Sequence, residues 1–309
     1  MPTALILGAN GLLGSTLVAE FKKSKSSFYA TTRDATSVFG FETEKFCLGI
    51  DSLASICERI GSIDYVINCI GTINHKIDEA SLEDIKNAIQ TNAIFPHQLD
   101  SLAEKSNFHV INIATDCVFN GETGGYLEES QHSFKDTYGM TKSLGEVISK
   151  NTLNLRCSII GMEYKTKFSL MSWLVNQPRD SRVNGYKNHF WNGITTNVYA
   201  EVVQGIINAP ERYFGTHHLV PADSVSKFEL LMDIADKSNR QDLIIEPIDN
   251  KNFMDRRLGT SDTEFNDKIW GLAGYKSPPK IVDMISRYFG KPYVSELLLA
   301  AKSNSNGVI

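Results

Sequence analysis

The chain has 309 residues, 42% hydrophobic and 22% charged, with a formal net charge of −5. That length suits one large α/β unit, or a nucleotide domain with a smaller second lobe. The acidic balance removes any electrostatic case for nucleic acid or an anionic membrane as partner.

No apolar run approaches the roughly 18 to 20 residues that span a bilayer. Met1-Pro2 leads directly into a strand pattern with no signal-peptide n-region, so a cytoplasmic location is expected. The five cysteines, Cys47, Cys57, Cys69, Cys117 and Cys157, are scattered and form no C-x-x-C pair. They read as free thiols, and no metal site is expected.

The first strand, Thr3 to Leu7, breaks into Gly8-Ala9-Asn10-Gly11-Leu12-Leu13-Gly14, and a helical pattern follows from Ser15. Strand, glycine turn and helix in this order make a pyrophosphate cradle: backbone approaches the ligand closely and the helix N-terminus offers N–H donors. Ser27 to Asp34 reads as the second strand. Its end carries Arg33, which favours the 2′-phosphate of NADP(H), beside Asp34, which favours the 2′-hydroxyl of NAD(H). Arg33 comes first and follows two threonines able to bond phosphate, so NADP(H) is expected, with NAD(H) as the other option.

Phe46 to Asp51 reads as a third strand ending in an acid, and 51–60 as a crossover helix. Asp64 to Gly71 is an apolar fourth strand whose end, with Asn68, Gly71 and Thr72, should face the cofactor in the crevice at the carboxyl edge of a parallel sheet. Ser81 to Glu104 is helical, broken at Pro96, and contains Thr91-Asn92. The fifth strand, Phe108 to Ala114, delivers Thr115-Asp116 to the same edge. Repeated strand and crossover units predict a doubly wound parallel sheet.

Tyr138 and Lys142 lie four apart on the next helix, hence on one face. Reducing a ketone with a nicotinamide requires a proton donor at the carbonyl oxygen. Bringing a phenol from its reference pKa near 10 to neutrality takes roughly 4 kcal/mol, which a nearby ammonium can help supply. A hydroxyl at Thr115 would bond the same carbonyl oxygen.

The glycine spacing, the strand end at Asn68, the run Ala114-Thr115-Asp116-Cys117-Val118-Phe119, and the Tyr138-Gly139-x-x-Lys142-x-x-Gly145-Glu146 helix resemble an extended short-chain dehydrogenase/reductase. Within that superfamily the chain is most similar to the dTDP-4-dehydrorhamnose reductase family, strongly before Gly161 and more weakly after it.

The resemblance implies a Rossmann-type fold over 1–160 and a smaller, mostly helical substrate-binding lobe over 161–309, with a segment near 195–222 returning to the Rossmann sheet. It makes Tyr138 the general acid, Lys142 the residue that holds the nicotinamide ribose and lowers the tyrosine pKa, and Thr115 the substrate-orienting hydroxyl. The cradle from Gly8 through Asn10, Gly11, Leu12 and Leu13 to Gly14 would hold the pyrophosphate. Asp51 would sit near adenine, and Asn68, Cys69, Gly71, Thr72 and Asn92 along the cofactor. The family commonly has Tyr where this chain has Cys117, a position expected near the sugar beside Asp116.

In the second lobe, the aromatic and amide-rich loop from Gly185 to Thr196 offers Trp191 and Asn192 to a nucleotide sugar. Arg256 and Arg257 form the most basic cluster there and suit a diphosphate. His217 and His218 alternate across a strand, which rules out joint chelation and assigns them to packing.

The function so implied is NADPH-dependent reduction of a 4-keto-6-deoxy nucleotide sugar in cell-surface polysaccharide synthesis. An epimerase or dehydratase of the same superfamily and a non-catalytic regulatory subunit of the methionine adenosyltransferase partner type are the rival readings. The expected partner is the nucleotide sugar, and a homodimer is left open.

Overall fold

The computed structural model describes residues 1–303. Of the polar tail expected to fray, 302–307, residues 304–307 lie outside the described residues.

Continuous apolar runs become strands buried on both faces. In β1 (Thr3–Leu7) Ala4 and Ile6 join one core, with Ile67 and Ile111, while Leu5 and Leu7 join another, with Val66 and Val110. This two-sided burial is what parallel sheets require. Chain order continues through α1 (Leu12–Ser24), β2 (Ser27–Thr32), β3 (Glu44–Lys45), α2 (Leu53–Ile60), β4 (Tyr65–Asn68), α3 (Leu82–Ala88), α4 (Phe95–Ser106), β5 (His109–Ala114), α5 (Thr137–Leu144) and β6 (Thr152–Arg156). After β7 (Ile159–Ile160) and α6 (Leu170–Val175) come β8 (Arg182–Tyr186), β9 (His189–Trp191), β10 (Ile194–Thr195), α7 (Thr196–Ile207) and β11 (Gly215–His218). β12 (Val225–Ser226), α8 (Lys227–Lys237), β13 (Ile244–Ile248) and β14 (Met254–Asp255) precede the helices 263–272, 281–289 and 292–303.

The main sheet has the order β11-β6-β5-β4-β1-β2-β3, with every pairing parallel. Strand order reverses between β1 and β4, and a crevice opens at the carboxyl ends there. This is the doubly wound α/β sheet expected from the sequence. β11 closes it at one edge by pairing with β6. The remaining strands form small two- and three-stranded sheets outside it.

Three local expectations are corrected. The third strand is Glu44–Lys45, not 46–51: the Asp51 carboxylate accepts from Cys47 N–H at 2.7 Å and curls 47–51 into a turn. Pro96 does not break its helix. It sits in the first turn of α4, where a missing N–H costs nothing, and a π-helical segment over 89–94 joins α3 to α4. The apolar spacing at Leu144, Val147 and Ile148 predicts a helix continuing through Ile148, but α5 stops at Leu144 and Ile148 is exposed.

The chain beyond α5 carries backbone carbonyls into the interior, and the sheet answers with amides. Asn68, Asn112 and Asn154 lie side by side on β4, β5 and β6. Asn68 Nδ2 donates to Asn112 Oδ1 and Asn112 Nδ2 to Asn154 Oδ1, both at 3.0 Å. Asn112 also donates to the Gly145 carbonyl at 3.2 Å, and Asn154 to the Val147 carbonyl at 2.8 Å. The ladder thus satisfies buried groups that would otherwise be orphaned.

Arg156, 1% exposed, is the second polar hub. Its Nε and Nη2 donate to the two Glu146 carboxylate oxygens at 3.0 and 2.5 Å, and the guanidinium lies 5.3 Å from the Phe119 ring centroid. Its Nη1 reaches His218 Nε2 at 2.6 Å and its Nη2 reaches His132 Nε2 at 2.9 Å. A guanidinium only donates, so both imidazoles must be neutral acceptors, with Nδ1–H donated to the Gly259 carbonyl and to Ser143 Oγ respectively. Burial, then Arg156, depresses the His218 pKa to about 4. Burial works against Glu128, yet donors from Ser261 and Thr260 take it down to about 2. Among the described residues no helix is long and apolar enough to cross a membrane.

Two outcomes follow from these polar hubs. Replacing Asn112 by Ala leaves the Gly145 carbonyl and both neighbouring amides short of a partner, and should lower the unfolding free energy by about 3 kcal/mol in urea titrations. Above pH 6.5 His218 is neutral in both folded and unfolded chains and contributes nothing to the pH dependence. Below it the unfolded chain binds a proton that the folded one refuses. Stability should therefore fall by about 2 kcal/mol between pH 7.5 and 5, with Glu128 adding to the loss only below about 4.5. A flat urea midpoint over that range would contradict the buried neutral imidazole.

Candidate active site

The crevice between β1 and β4 opens into a cavity of about 610 Å³. At one end α1 begins. Its N-cap is Gly11, which offers no side-chain cap, and the first turn carries no acid. Asn10, Gly11, Leu12 and Leu13 line the cavity, so the orphan N–H donors of this turn are available to an anion. Gly14 is required by packing: a Cβ there would run into the Gly8 carbonyl. The tight turn and uncapped helix end fit a dinucleotide pyrophosphate.

Arg33 lines the same cavity, is exposed, and has no hydrogen-bond or ion-pair partner among the described residues. The two preceding threonines are not free to join it. Thr31 Oγ1 accepts from Gly8 N–H at 3.4 Å, and Thr32 Oγ1 pairs with Thr43 at 2.9 Å; both residues are buried. Cys69 and Gly71 lie along the cavity wall.

Four residues expected at the cofactor are used elsewhere. Asp51 is folded onto Cys47, and Asn68 belongs to the amide ladder. Thr72 and Asn92 are buried against each other: Asn92 Oδ1 accepts from Thr72 N–H at 2.9 Å, and Asn92 Nδ2 donates to the Thr72 carbonyl at 2.8 Å and to Thr141 Oγ1 at 3.1 Å. They tie the loop after β4 to α5.

That helix presents Tyr138 and Lys142 to the cavity, opposite the end of β5 with Thr115. The loop after β4 fastens its N-terminus. Asn74 donates to the N-cap Asp136 at 2.7 Å, and Glu79 accepts from Thr137 N–H at 2.9 Å and from its hydroxyl. At the other end a Cβ on Gly145 would strike the Asn92 carbonyl, so glycine is what lets α5 pack this closely.

The electrostatics of the pair differ from expectation. Lys142 Nζ donates to the Ile113 carbonyl at 2.6 Å, and burial lowers its pKa to about 8. Tyr138 is raised above its ordinary value by burial first, then by Cys117, with Thr115 pulling the other way. Lys142 is not among the leading influences on it. The phenol is thus firmly protonated at neutral pH, and the lysine, turned to the β5 backbone, holds a proton only weakly.

Beyond Tyr138 lies a charged wall. Asp116, 8% exposed, is raised by burial and lowered by Arg256. Its Oδ1 accepts from Thr115 Oγ1 at 3.2 Å. Arg256 lines the cavity, donates to the Phe119 carbonyl at 3.0 Å and lies 3.5 Å from Cys117 Sγ. Burial pushes the Cys117 thiol up to about 12. Trp191 lines the cavity with its Nε1 on Ser158 Oγ at 2.8 Å.

Asn192 and Arg257 are not part of that lining. Asn192 clasps Leu258 through both its amide atoms at 2.7 and 2.9 Å. Arg257 is paired with Asp255 at 2.6 Å and stacks on Phe190.

Three lysines in the lining were not expected from the sequence, Lys76, Lys165 and Lys227. Lys227 is lowered by burial and feels Asp116 and Cys117. It opens α8, and the capping box formed by Ser226 and Glu229 could have located it. Lys165 sits in an irregular stretch with no such signal. Among the described residues no cluster of His, Cys, Asp or Glu is arranged to hold a metal ion.

Comparison with known proteins places this geometry. The model of the RmlD substrate binding domain family matches residues 2–278. A probable low-salt glycan biosynthesis reductase, Agl14 of Haloferax volcanii, is 27% identical over 164 residues, a match that spans 51% of this chain and 53% of that relative. The structure of a dTDP-4-dehydrorhamnose reductase from Bacillus anthracis in complex with NADP superposes with a TM-score of 0.74 at 19% identity, over 94% of this chain and 100% of that one. A UDP-glucuronic acid 4-epimerase variant from Bacillus cereus in complex with NAD gives 0.71 at 13% identity, over 96% and 99%. At these identities the two structures establish a shared fold, common to reductase and epimerase alike. The family match over nine-tenths of the chain goes further: the protein belongs to the RmlD substrate binding domain family.

Proposed function

We propose that the chain is an NADPH-dependent reductase of a 4-keto-6-deoxy nucleotide sugar, serving cell-surface polysaccharide synthesis in the cytoplasm. The observation that carries this reading is the convergence of Thr115, Tyr138 and Lys142 on one cavity whose far end is the uncapped start of α1. The Haloferax volcanii relative, a probable glycan biosynthesis reductase, and the NADP in the Bacillus anthracis structure support it. The segment 161–309 is taken as the substrate lobe, since it contributes Trp191, Lys227 and Arg256 to the lining.

In this reading the backbone N–H groups of Leu12 and Leu13 would hold the pyrophosphate, and Arg33 would meet the 2′-phosphate. Bound NADPH supplies the hydride. Thr115 Oγ, turned from Asp116 Oδ1, and Tyr138 Oη would both bond the keto oxygen, and Tyr138, kept protonated by its burial, would hand its proton to the developing alkoxide. With the cofactor bound, Lys142 would turn from the Ile113 carbonyl to hold the nicotinamide ribose, and its ammonium would stabilise the phenolate left behind. Arg256 and Lys227, beside Asp116 in the lining, meet the anionic part of the substrate.

Replacing Tyr138 by Phe should lower kcat at least about 100-fold while NADPH binding, followed by fluorescence, stays within about twofold. Undiminished turnover of a 4-keto nucleotide sugar would sink the mechanism, and turnover without net NADPH consumption would favour the epimerase. Arg256→Ala should raise KM for the nucleotide sugar about tenfold, as expected for one lost charge-assisted contact, and leave the NADPH Kd unmoved.

A further inference from the structure

Both signs of charge stand at the end of β2, and which one a ribose meets depends on which is already engaged. Asp34 is engaged. Its Oδ1 accepts from Thr36 Oγ1 at 2.8 Å and from Thr36 N–H at 3.4 Å, and its Oδ2 lies 3.7 Å from Lys165 Nζ. Lys165 also donates to Thr36 Oγ1 at 3.1 Å. This lysine comes from the other side of the cleft, on the segment between β7 and α6.

The segment is fastened across the cleft at two further points. Tyr164 Oη accepts from Phe39 N–H at 3.4 Å, and the two rings meet edge to face with centroids 4.7 Å apart. Phe168 lies 4.8 Å from the His75 ring, on the loop after β4. The strap therefore runs from the β2–β3 connection to the loop beyond β4, and it carries Lys165 to the corner where Arg33 stands with no partner among the described residues. Both cations line the cavity.

Resting on the nicotinamide-dependent reading above, we propose that Lys165 is the second cation of a phosphomonoester site, gripping the 2′-phosphate of NADPH together with Arg33. Cofactor choice is then made jointly by the end of β2 and by a residue of the second lobe. A phosphomonoester carries about −1.5 to −2 charges at neutral pH, against one carboxylate that Thr36 already satisfies. An exposed lysine–carboxylate pair at 3.7 Å contributes little, and the flexible lysine stem lets the ammonium turn from Asp34 to the stronger anion. Asp34, held by its own turn, is left unable to select the ribose diol of NADH.

Direct binding to the full-length chain tests this, with NADPH, NADH and 2′,5′-ADP as ligands in calorimetric or fluorescence titrations. Lys165→Ala should weaken NADPH and 2′,5′-ADP about tenfold, as for loss of one charge-assisted contact, and leave NADH within about twofold. Lys165→Arg should restore most of the loss, and Asp34→Asn, which removes the competing carboxylate, should tighten 2′,5′-ADP. Equal weakening of NADPH and NADH in Lys165→Ala would overturn the proposal and make the lysine a fastening of the strap. So would an unchanged NADPH affinity. If the unmodified chain bound NADH as tightly as NADPH, the phosphomonoester site would fall while the reductase reading stood. Binding of neither dinucleotide would overturn that reading and the proposal with it.

Discussion

The side chain of Asn92 fixes the relation on which the active cavity depends. One amide bonds the backbone of Thr72 on both its N–H and C=O sides and reaches Thr141 on α5, while the Asn92 carbonyl sits where only a glycine, Gly145, lets the helix pass. Tyr138 and Lys142 ride on that helix. A reacting phenol misplaced by about 1 Å can lose about 100-fold in rate, so a buried amide making three hydrogen bonds is a fitting anchor. The π-helical segment that carries Asn92 is the local distortion that turns its amide toward both neighbours.

Around this anchor the interior is polar in a directed way. The asparagine ladder exists because α5 ends early and the chain must run on through the core unhelical; its carbonyls need donors, β5 and β6 supply them through Asn112 and Asn154, and Asn68 on β4 completes the ladder. Arg156 does the same for the loops beyond. With Glu146 beneath it and two neutral imidazoles around it, it draws together the ends of β6 and β11 and the loop that leads to Phe119. Removing one partner from such a hub strands a charge in the interior, so the network is stable only when complete. Both hubs sit behind the cavity wall, and this fixes the wall without placing their own groups inside it.

The sheet was legible because its strands are long apolar runs between turn signals, and periodicity reports two-sided burial directly. The glycine cradle was legible because its spacing is local, and Thr115, Tyr138 and Lys142 because each lies at a strand or helix end that the doubly wound topology brings to one edge. Asn68, Asn92 and Asn192 were not separable by the same reasoning. An amide at a strand end looks alike whether it faces a ligand or a buried carbonyl, and only the register of β4 against β5 and β6 assigns Asn68 to the ladder. The third strand was read at 46–51 instead of 44–45 because Asp51, taken as a strand-end acid, spends its carboxylate on the Cys47 amide. Lys165 could not be found at all: its position depends on a cross-cleft strap held by Tyr164 and Phe168, contacts with sequence separations above ninety.

The protonation of the central pair has a direction that the chemistry can use. A buried phenol with a raised pKa is a secure store of one proton and a reluctant donor, and Lys142, lowered to about 8 and bonded to the Ile113 carbonyl, is a cation held aside from it. In the proposed reduction that reluctance would protect the site: a tyrosine activated before the substrate arrives would lose its proton to solvent, and the reaction would then have no acid. Each unit by which the phenol must fall costs about 1.4 kcal/mol, and moving one ammonium from a backbone carbonyl toward the phenol is a displacement of the right kind to supply several. In the proposed reduction, fixing α5 at both ends while Lys142 is held by a single backbone carbonyl would separate two requirements, rigid placement of the acid and conditional arrival of the charge that makes it act.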